Sequence, residues 1–180
     1  MSKEISKFLS LVLRHDPGKA GISLDSNGWT SIATLVAGVQ KAGFPEFDRA
    51  TLDAVVENNE KKRFTISEDG NMIRAAQGHS AEVDLALQPS TPPDILYHGT
   101  AFAKLASIRE HGLVPGKRQQ VHLSNDYETA VKVGSRHGRP IVLVVDAPRM
   151  AAEGIVFFQA DNGVWLTDAV PADYLSTDQA

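Results

Sequence analysis

Gln88-Pro89-Ser90-Thr91-Pro92-Pro93 lies near the middle of the 180-residue chain and separates two halves of different texture. Three prolines within five residues suit neither a helix interior nor a central strand, since each removes a backbone donor. Two lobes are expected on either side, residues 1–88 and 94–180, each long enough for a core of its own.

Upstream of this break the pattern is mainly helical. Ile5, Phe8, Leu9, Val12 and Leu13 recur at helical spacing between Ser2 and Arg14, and Pro17-Gly18 stops the run. After a turn at Ser26-Asn27-Gly28, Thr30 is placed to cap a second helix with the apolar face Ile32, Leu35, Val36 and Val39, ending near Gly43. Asp48 is placed to cap a third, with Leu52, Val55 and Val56 inward. Arg63-Phe64-Thr65-Ile66 and Met72-Ile73-Arg74 then flank Ser67-Glu68-Asp69-Gly70-Asn71 as a hairpin. Three short helices followed by a hairpin is the order of a winged helix, in which the third helix usually faces nucleic acid and the hairpin forms the wing. Such modules also serve as plain packing or protein-contact domains.

Downstream, strands dominate. Ile95 to His98, Val121 to Ser124, Pro140 to Asp146, Val156 to Phe158 and Gly163 to Thr167 read as strands, and Ala103 to His111 and Asp126 to His137 as helices. The run from Pro140 is almost continuously apolar, which predicts a well-buried sheet in a mixed α+β lobe. The fold class expected for the whole chain is α+β.

Composition bounds the function. No cysteine occurs, so disulfides, thiol nucleophiles and cysteine-based zinc sites are excluded. With 18 Lys and Arg against 22 Asp and Glu, the formal charge of −4 argues against a protein that coats nucleic acid through bulk positive charge. Anion binding must then be local. The N-terminus has a mild signal-peptide look, but Glu4 comes early and no small-residue cleavage site follows, so it reads as the first helix of a cytoplasmic protein. No apolar run approaches the roughly 18 residues of a membrane span.

Several residues stand out as candidates for chemistry. Arg14-His15 ends the first helix, where the dipole already favours cations; as a functional pair they would clamp a phosphate, the guanidinium through a forked set of donors and the imidazole through one titratable N–H. Lys61-Lys62-Arg63 would be a solvated face unless other arginines join it. If the fold gathers Arg14, Arg63, Arg118 and His15, they make a site for a compact dianion such as a phosphate monoester. Around Arg118-Gln119-Gln120-Val121-His122-Leu123-Ser124, alternation turns Val121 and Leu123 to the core and His122 and Ser124 toward a cleft. His98-Gly99-Thr100 closes a strand, with a glycine that would let a ligand approach the backbone and two hydrogen-bonding neighbours; read alone it is also an ordinary turn. His98, His111, His122 and His137 lack metal-ligand spacing, so no metal is expected. No GxSxG elbow, Rossmann loop or Walker loop is present.

Taken together, the chain resembles the RNA 2'-phosphotransferases, the KptA/Tpt1 family. The matching segments are Leu11-Val-Leu-Arg-His15 with Pro17, Leu24-Asp25 through Gly28-Trp29, Lys62-Arg63-Phe64, Ile73-Arg74-Ala75 with Gln77-Gly78-His79-Ser80, Leu96-Tyr97-His98-Gly99-Thr100, Ser107-Ile108, Gly112-Leu113, Arg118 with Val121-His122-Leu123-Ser124, Val133-Gly134 with Arg136 and Gly138, and Gly163-Val164-Trp165-Leu166-Thr167.

The resemblance implies a winged-helix RNA lobe at 1–88 and an ADP-ribosyltransferase-like, NAD-binding lobe at 94–180. It implies NAD as a consumed co-substrate and an RNA with an internal 2'-phosphate as substrate. The phosphate would attack C1'' of the nicotinamide-bearing ribose and expel nicotinamide, and in the resulting RNA-2'-phospho-ADP-ribose the ribose 2''-hydroxyl would then attack the phosphorus, releasing 2'-hydroxyl RNA and ADP-ribose 1'',2''-cyclic phosphate. By the same resemblance Arg14, His15, Arg63 and Arg118 are the catalytic set, with Arg118 and His15 assigned mainly to the second step. His98, Gly99, Thr100, His122, Ser124 and Arg136 fall in cofactor-binding segments. Val164 stands where many protein-modifying relatives carry a glutamate, which suits a nucleophile that arrives already ionised. Gln120 stands where family members commonly have histidine, and glutamine cannot carry a proton charge there.

A monomer is expected. Two other readings remain open: a winged-helix nucleic-acid-binding regulator with a ligand-sensing lobe, and an ADP-ribosyltransferase that stops after the first transfer.

Overall fold

The computed structural model describes residues 2–80 and 83–177. Contacts divide the chain into two units, Met1–Ala86 and Leu87–Ala180. Each is an α+β assembly of short helices on small antiparallel sheets.

In the first unit, helix α1 (Ser2–Arg14) buries Ile5, Leu9, Val12 and Leu13, the stripe that its 3.6-residue spacing dictates. A 3-10 turn over Pro17–Ala20 follows, closed by Gly21 in the left-handed conformation. Strand β1 (Thr30–Ser31) leads directly into α2 (Ile32–Lys41). The cap of α2 is therefore Ser31, whose hydroxyl accepts from Thr34 N at 3.4 Å, and not Thr30, which is buried and pairs with Ile73. Asp48 does cap α3 (Arg49–Glu57), accepting from Thr51 N at 2.8 Å. Strands β2 (Phe64–Ile66) and β3 (Met72–Ala75) form the hairpin, in the register Phe64↔Ala75 and Ile66↔Ile73. The two-residue β1 joins on the other side of β3, giving the order β1-β3-β2. Leu9, Leu13, Leu35, Phe47, Leu52 and Ile73 fill the core between helices and sheet.

The second unit holds two three-stranded sheets. One is β4 (Leu96–Ala101), β6 (Pro140–Val145) and β9 (Leu175–Thr177), with β6 in the centre. Its central place explains the apolar run of β6, pairing Leu143 with His98 on one side and Thr177 on the other. The other sheet is β5 (Val121–Leu123), β8 (Trp165–Thr167) and β7 (Phe158–Gln159), with β8 central. Helices α4 (Leu105–His111), α5 (Tyr127–Ser135) and α6 (Ala147–Ala152) complete it. Asp126 caps α5 through Thr129 N at 2.9 Å, and Asp146, at the expected strand end, instead caps α6. Leu96, Leu123, Leu143, Met150 and Phe157 form the core.

The proline-rich stretch packs with this unit, since Ser90 N donates to Phe157 O at 2.8 Å and Pro89 bridges Phe158. Upstream, Asp84 N donates to Ser26 O at 2.8 Å and Leu85 O accepts from Arg74, which holds the segment before the break on the first unit. Among the described residues no helix is long and apolar enough to cross a membrane.

Candidate functional site

Two polar constellations emerge, one in each unit. In the first, the backbone N–H of Ser80 donates to Arg14 O at 3.0 Å, and its hydroxyl lies 2.8 Å from His15 Nδ1. Four residues earlier, Ala76 N donates to Arg63 O at 2.8 Å, continuing the β2–β3 ladder by one bond. The segment Ala76–Ser80 is thus fastened at one end to Arg63 and at the other to Arg14-His15. Between them Gly78 lies along the Arg14 side chain, so close that a Cβ there would sit 3.6 Å from the guanidinium carbon. Three of the residues singled out in the sequence share one stretch of backbone.

His79, in that stretch, is almost fully buried. Its pKa is pushed down to about 4, first by burial and then by the positive charges of Arg14, Arg74 and His15. Arg74 stacks over the Trp29 ring at 4.5 Å and donates to Asn27 O at 3.4 Å and Leu85 O at 3.2 Å. The family resemblance included Gln77 to Ser80 among its matching segments but gave them no role, because a coil between elements has no periodicity to read; the hydrogen bonds supply one.

In the second unit, His98 on β4 and His122 on β5 are brought together by the paired bonds Tyr97 N to Ser124 O, 2.7 Å, and Ser124 N to Tyr97 O, 2.9 Å. His98 Nδ1 lies 3.0 Å from His122 O, and a carbonyl only accepts, so His98 carries its proton on Nδ1 and turns the Nε2 lone pair outward from that bond. Burial, and after it the charges of Arg118 and Lys104, lower the His98 pKa against the opposing pull of the His122 carbonyl. His98 is therefore neutral at neutral pH. The Arg118 guanidinium meets His122 Nδ1 at 2.5 Å; a guanidinium only donates, so the accepting Nδ1 leaves the proton of a neutral His122 on Nε2. Partial desolvation and, after it, the neighbouring charge of Arg136 lower the Arg118 pKa.

The remaining candidates of this unit are largely occupied by local structure. Ser124 Oγ closes a turn, donating to Asp126 O and accepting from Asp126 N, both at 3.0 Å. Thr100 is buried in β4, which runs through His98-Gly99-Thr100 to Ala101 and does not end there as the sequence suggested. The space that Gly99 opens is taken by helix α5: a Cβ would lie 1.7 Å from Ala130 O and 3.0 Å from Gly134 N. Glycine is required here for a helix to approach the strand. Gln120 donates to the Asp168 carboxylate at 3.3 Å, joining the start of β5 to the end of β8. Among the described residues no group of three or more His, Asp or Glu side chains is arranged around a common metal position.

Both constellations share one electrostatic property. The charged groups that act on His79 are all cationic, and so are those that act on His98, in a chain whose net charge is −4. In each unit cationic side chains lie near a histidine, His79 being buried and His98 half-buried. Such places suit an anion with several acceptor oxygens.

Comparison with known proteins accords with this chemistry. Residues 1–169 match the family model described as RNA 2'-phosphotransferase, Tpt1 / KptA family. A protein of Agrobacterium fabrum named "Probable RNA 2'-phosphotransferase" is 58% identical over 176 residues, covering 98% of this chain and 94% of its own length. Proteins of the same name from Pseudomonas syringae pv. tomato and Acaryochloris marina are 55% and 51% identical, over 96% of this chain in each case and 92% and 94% of their own lengths. The chain thus falls within a class of phosphate-handling transferases. The chain belongs to the RNA 2'-phosphotransferase (Tpt1/KptA) family.

Proposed function

We propose that this protein removes a 2'-phosphate from RNA and passes it to ADP-ribose drawn from NAD. The observation that carries the reading is the cationic side chains beside His79 and His98, Arg14 and Arg74 near the first and Arg118 near the second, in an acidic chain whose family model spans nearly its full length.

In this reading the first unit is a winged-helix RNA lobe, supported by its order of three helices and a hairpin with β1 added to the sheet. Arg14 and Arg63 anchor the 2'-phosphate, and His15 offers its ring from beside them. The second unit is an ADP-ribosyltransferase-like lobe. Its donor set fits a dinucleotide: Arg118 and Arg136, close enough for one to disfavour the other's charge, suit a diphosphate, and neutral His98 suits a ribose hydroxyl. NAD, when bound, supplies an activated ADP-ribosyl group to accept the phosphate.

The chain's own residues contribute orientation and charge. Arg118 holds His122 in the Nε2–H tautomer and keeps a guanidinium available for phosphoryl oxygens as negative charge develops on them. His98, fixed by the His122 carbonyl, presents a lone pair in a constant direction. A general base is not needed, since a phosphate dianion is already ionised near neutral pH.

The test is incubation of the purified protein with a short RNA bearing one internal 2'-phosphate, with and without NAD. Nicotinamide release coupled to 2'-hydroxyl RNA is the expected result. RNA binding without nicotinamide release identifies a regulator, and a stable adduct on the RNA identifies a transferase that stops after one step.

A further inference from the structure

The two elements that a winged helix turns toward nucleic acid carry acid in this protein. On α3, Arg49 is taken up by Asp53 at 2.8 Å, Glu57 is exposed, and Glu60 follows the helix. At the hairpin tip Glu68 and Asp69 are exposed, and the Asp69 carboxylate, held by the Ser67 hydroxyl and Asn71 N, has a lowered pKa. Neither face would attract a phosphate backbone, whose affinity comes mainly from neutralisation by Lys and Arg.

The basic run of this unit lies in the turn between α3 and β2. Lys61 and Lys62 are exposed and lead into Arg63, which is half-buried. The turn is a built one: Asn59 accepts from Lys61 N on its side chain at 3.1 Å and from Lys62 N on its carbonyl at 2.9 Å. Lys62 is held at a φ of +43°, a left-handed conformation that residues with a Cβ adopt rarely, and Asn, Asp and Gly far more readily. A lysine at that position gives up a backbone preference and gains only an exposed charge.

The place of the turn gives that charge a use. Arg63 O and Arg14 O are bound by N–H groups four residues apart on the segment Ala76–Ser80, so the anchoring points are no more than about 14 Å apart along it. We infer that the Lys61-Lys62 turn is the docking surface for the phosphodiester backbone of the RNA strand beside its 2'-phosphate. Lys62 is the principal contact, and the strand runs from this turn toward Arg14-His15 and away from α3 and the hairpin tip. The inference rests on the function proposed above and deepens it by naming where the RNA strand lies on the first unit.

The experiment is fluorescence anisotropy of the full chain with a short labelled single-stranded RNA, with and without the 2'-phosphate, across a salt series. Lys62→Gly removes the charge while supplying the residue best suited to the backbone, so it should melt no lower than the wild type. It should bind both RNAs about threefold to tenfold more weakly, with a salt slope shallower by about 0.7, the share of one phosphate contact on a single strand. Lys62→Arg should restore binding, and Glu57→Lys and Glu68→Lys should change the dissociation constant less than about twofold, since they lie off the path. Wild-type affinity in Lys62→Gly, or tightening by Glu57→Lys or Glu68→Lys larger than the loss in Lys62→Gly, overturns the surface. Wild-type protein that binds RNA with this Lys62 dependence yet removes no 2'-phosphate in the presence of NAD contradicts only the function. Wild-type protein that removes the phosphate, with Lys62→Gly unaffected, contradicts only the surface.

Discussion

The imidazole of His15 and the hydroxyl of Ser80 meet at 2.8 Å across sixty-five residues of chain, and the backbone N–H of the same serine is bonded to Arg14 O. One residue therefore holds both members of the Arg14-His15 pair, the carbonyl of the first and the ring of the second. A histidine beyond the end of a helix would otherwise rotate about two torsions in solvent. Ser80 leaves it one preferred orientation and one preferred partner for Nδ1.

If His15 acts on the phosphate, Ser80→Ala lowers turnover about fivefold to tenfold, the rate equivalent of the ~1 to 1.5 kcal/mol that one such hydrogen bond contributes. Affinity for NAD is unchanged, and Ser80→Thr restores most of the rate because it keeps the hydroxyl. Nitrogen-15 NMR of the His15 ring reads the same effect independently of turnover, as a changed tautomer ratio in the alanine variant. A His15 spectrum identical in wild type and Ser80→Ala removes the positioning role.

His79 gives the fold a defined acid sensitivity. Its pKa is about 4 in the folded chain and near 6.5 when unfolded, so between those values the unfolded state binds a proton that the folded state refuses. Stability is then fully present above pH 6.5, falls as the pH drops toward 4, and loses up to about 3 kcal/mol in that window. Urea unfolding at pH 7, 5.5 and 4.5 measures it: the stability advantage of wild type over His79→Gln shrinks with each step. Parallel losses in both proteins mean that other groups set the acid limb.

The parts of the fold that were legible in the sequence are those where one physical rule acts alone. Ile5, Leu9, Val12 and Leu13 fall on the buried stripe of α1, Asp48 and Asp126 cap their helices, and the Pro140 run is the central strand of its sheet. Short elements were not legible. Strand β9 has three residues and α6 six, too few for either period to repeat, and Thr30-Ser31 became a strand only because Ile73 and Met72 stand opposite. At the site, residue type and family resemblance pointed to Arg14, Arg63 and Arg118. The ties around them, Ser80 to His15, Ala76 to Arg63 and Arg118 to His122, depend on coil segments and cross-strand register that local patterns do not encode.

Gly99 tests whether the strand bearing His98 is set by the helix behind it. A Cβ would overlap Ala130 O at 1.7 Å, and that oxygen belongs to the helix backbone, so no side-chain rotation relieves the clash. Gly99→Ala should destabilise the protein by about 3 kcal/mol or more, or abolish folding, as overpacking against a rigid element does. Gly116→Asn is the comparison: that glycine is at positive φ, but a Cβ there meets nothing within 4 Å, and the cost should stay within about 1 kcal/mol. Equal losses from both substitutions, measured by urea denaturation, mean that α5 yields and does not fix the strand.

Arg118 and His15 divide the proposed reaction differently from the remaining donors. Arg118 sets the tautomer of His122 through Nδ1 and carries a charge that Arg136 makes more costly to hold, so it gains most from an anion whose negative charge grows during reaction. Nicotinamide release asks the donors only to orient a phosphate, whereas release of 2'-hydroxyl RNA asks them to stabilise charge on phosphoryl oxygens. Arg118→Ala and His15→Ala should therefore slow formation of 2'-hydroxyl RNA by about a hundredfold or more while nicotinamide release falls by about tenfold or less, with one transition-state donor lost in the first case and only an orienting contact in the second. Arg118→Lys should recover little, because an ammonium cannot meet His122 and a phosphate in the fixed fork of a guanidinium. Single-turnover assays that follow nicotinamide and RNA products in the same tube decide the matter: equal loss of both products in the two alanine variants ends the division of roles.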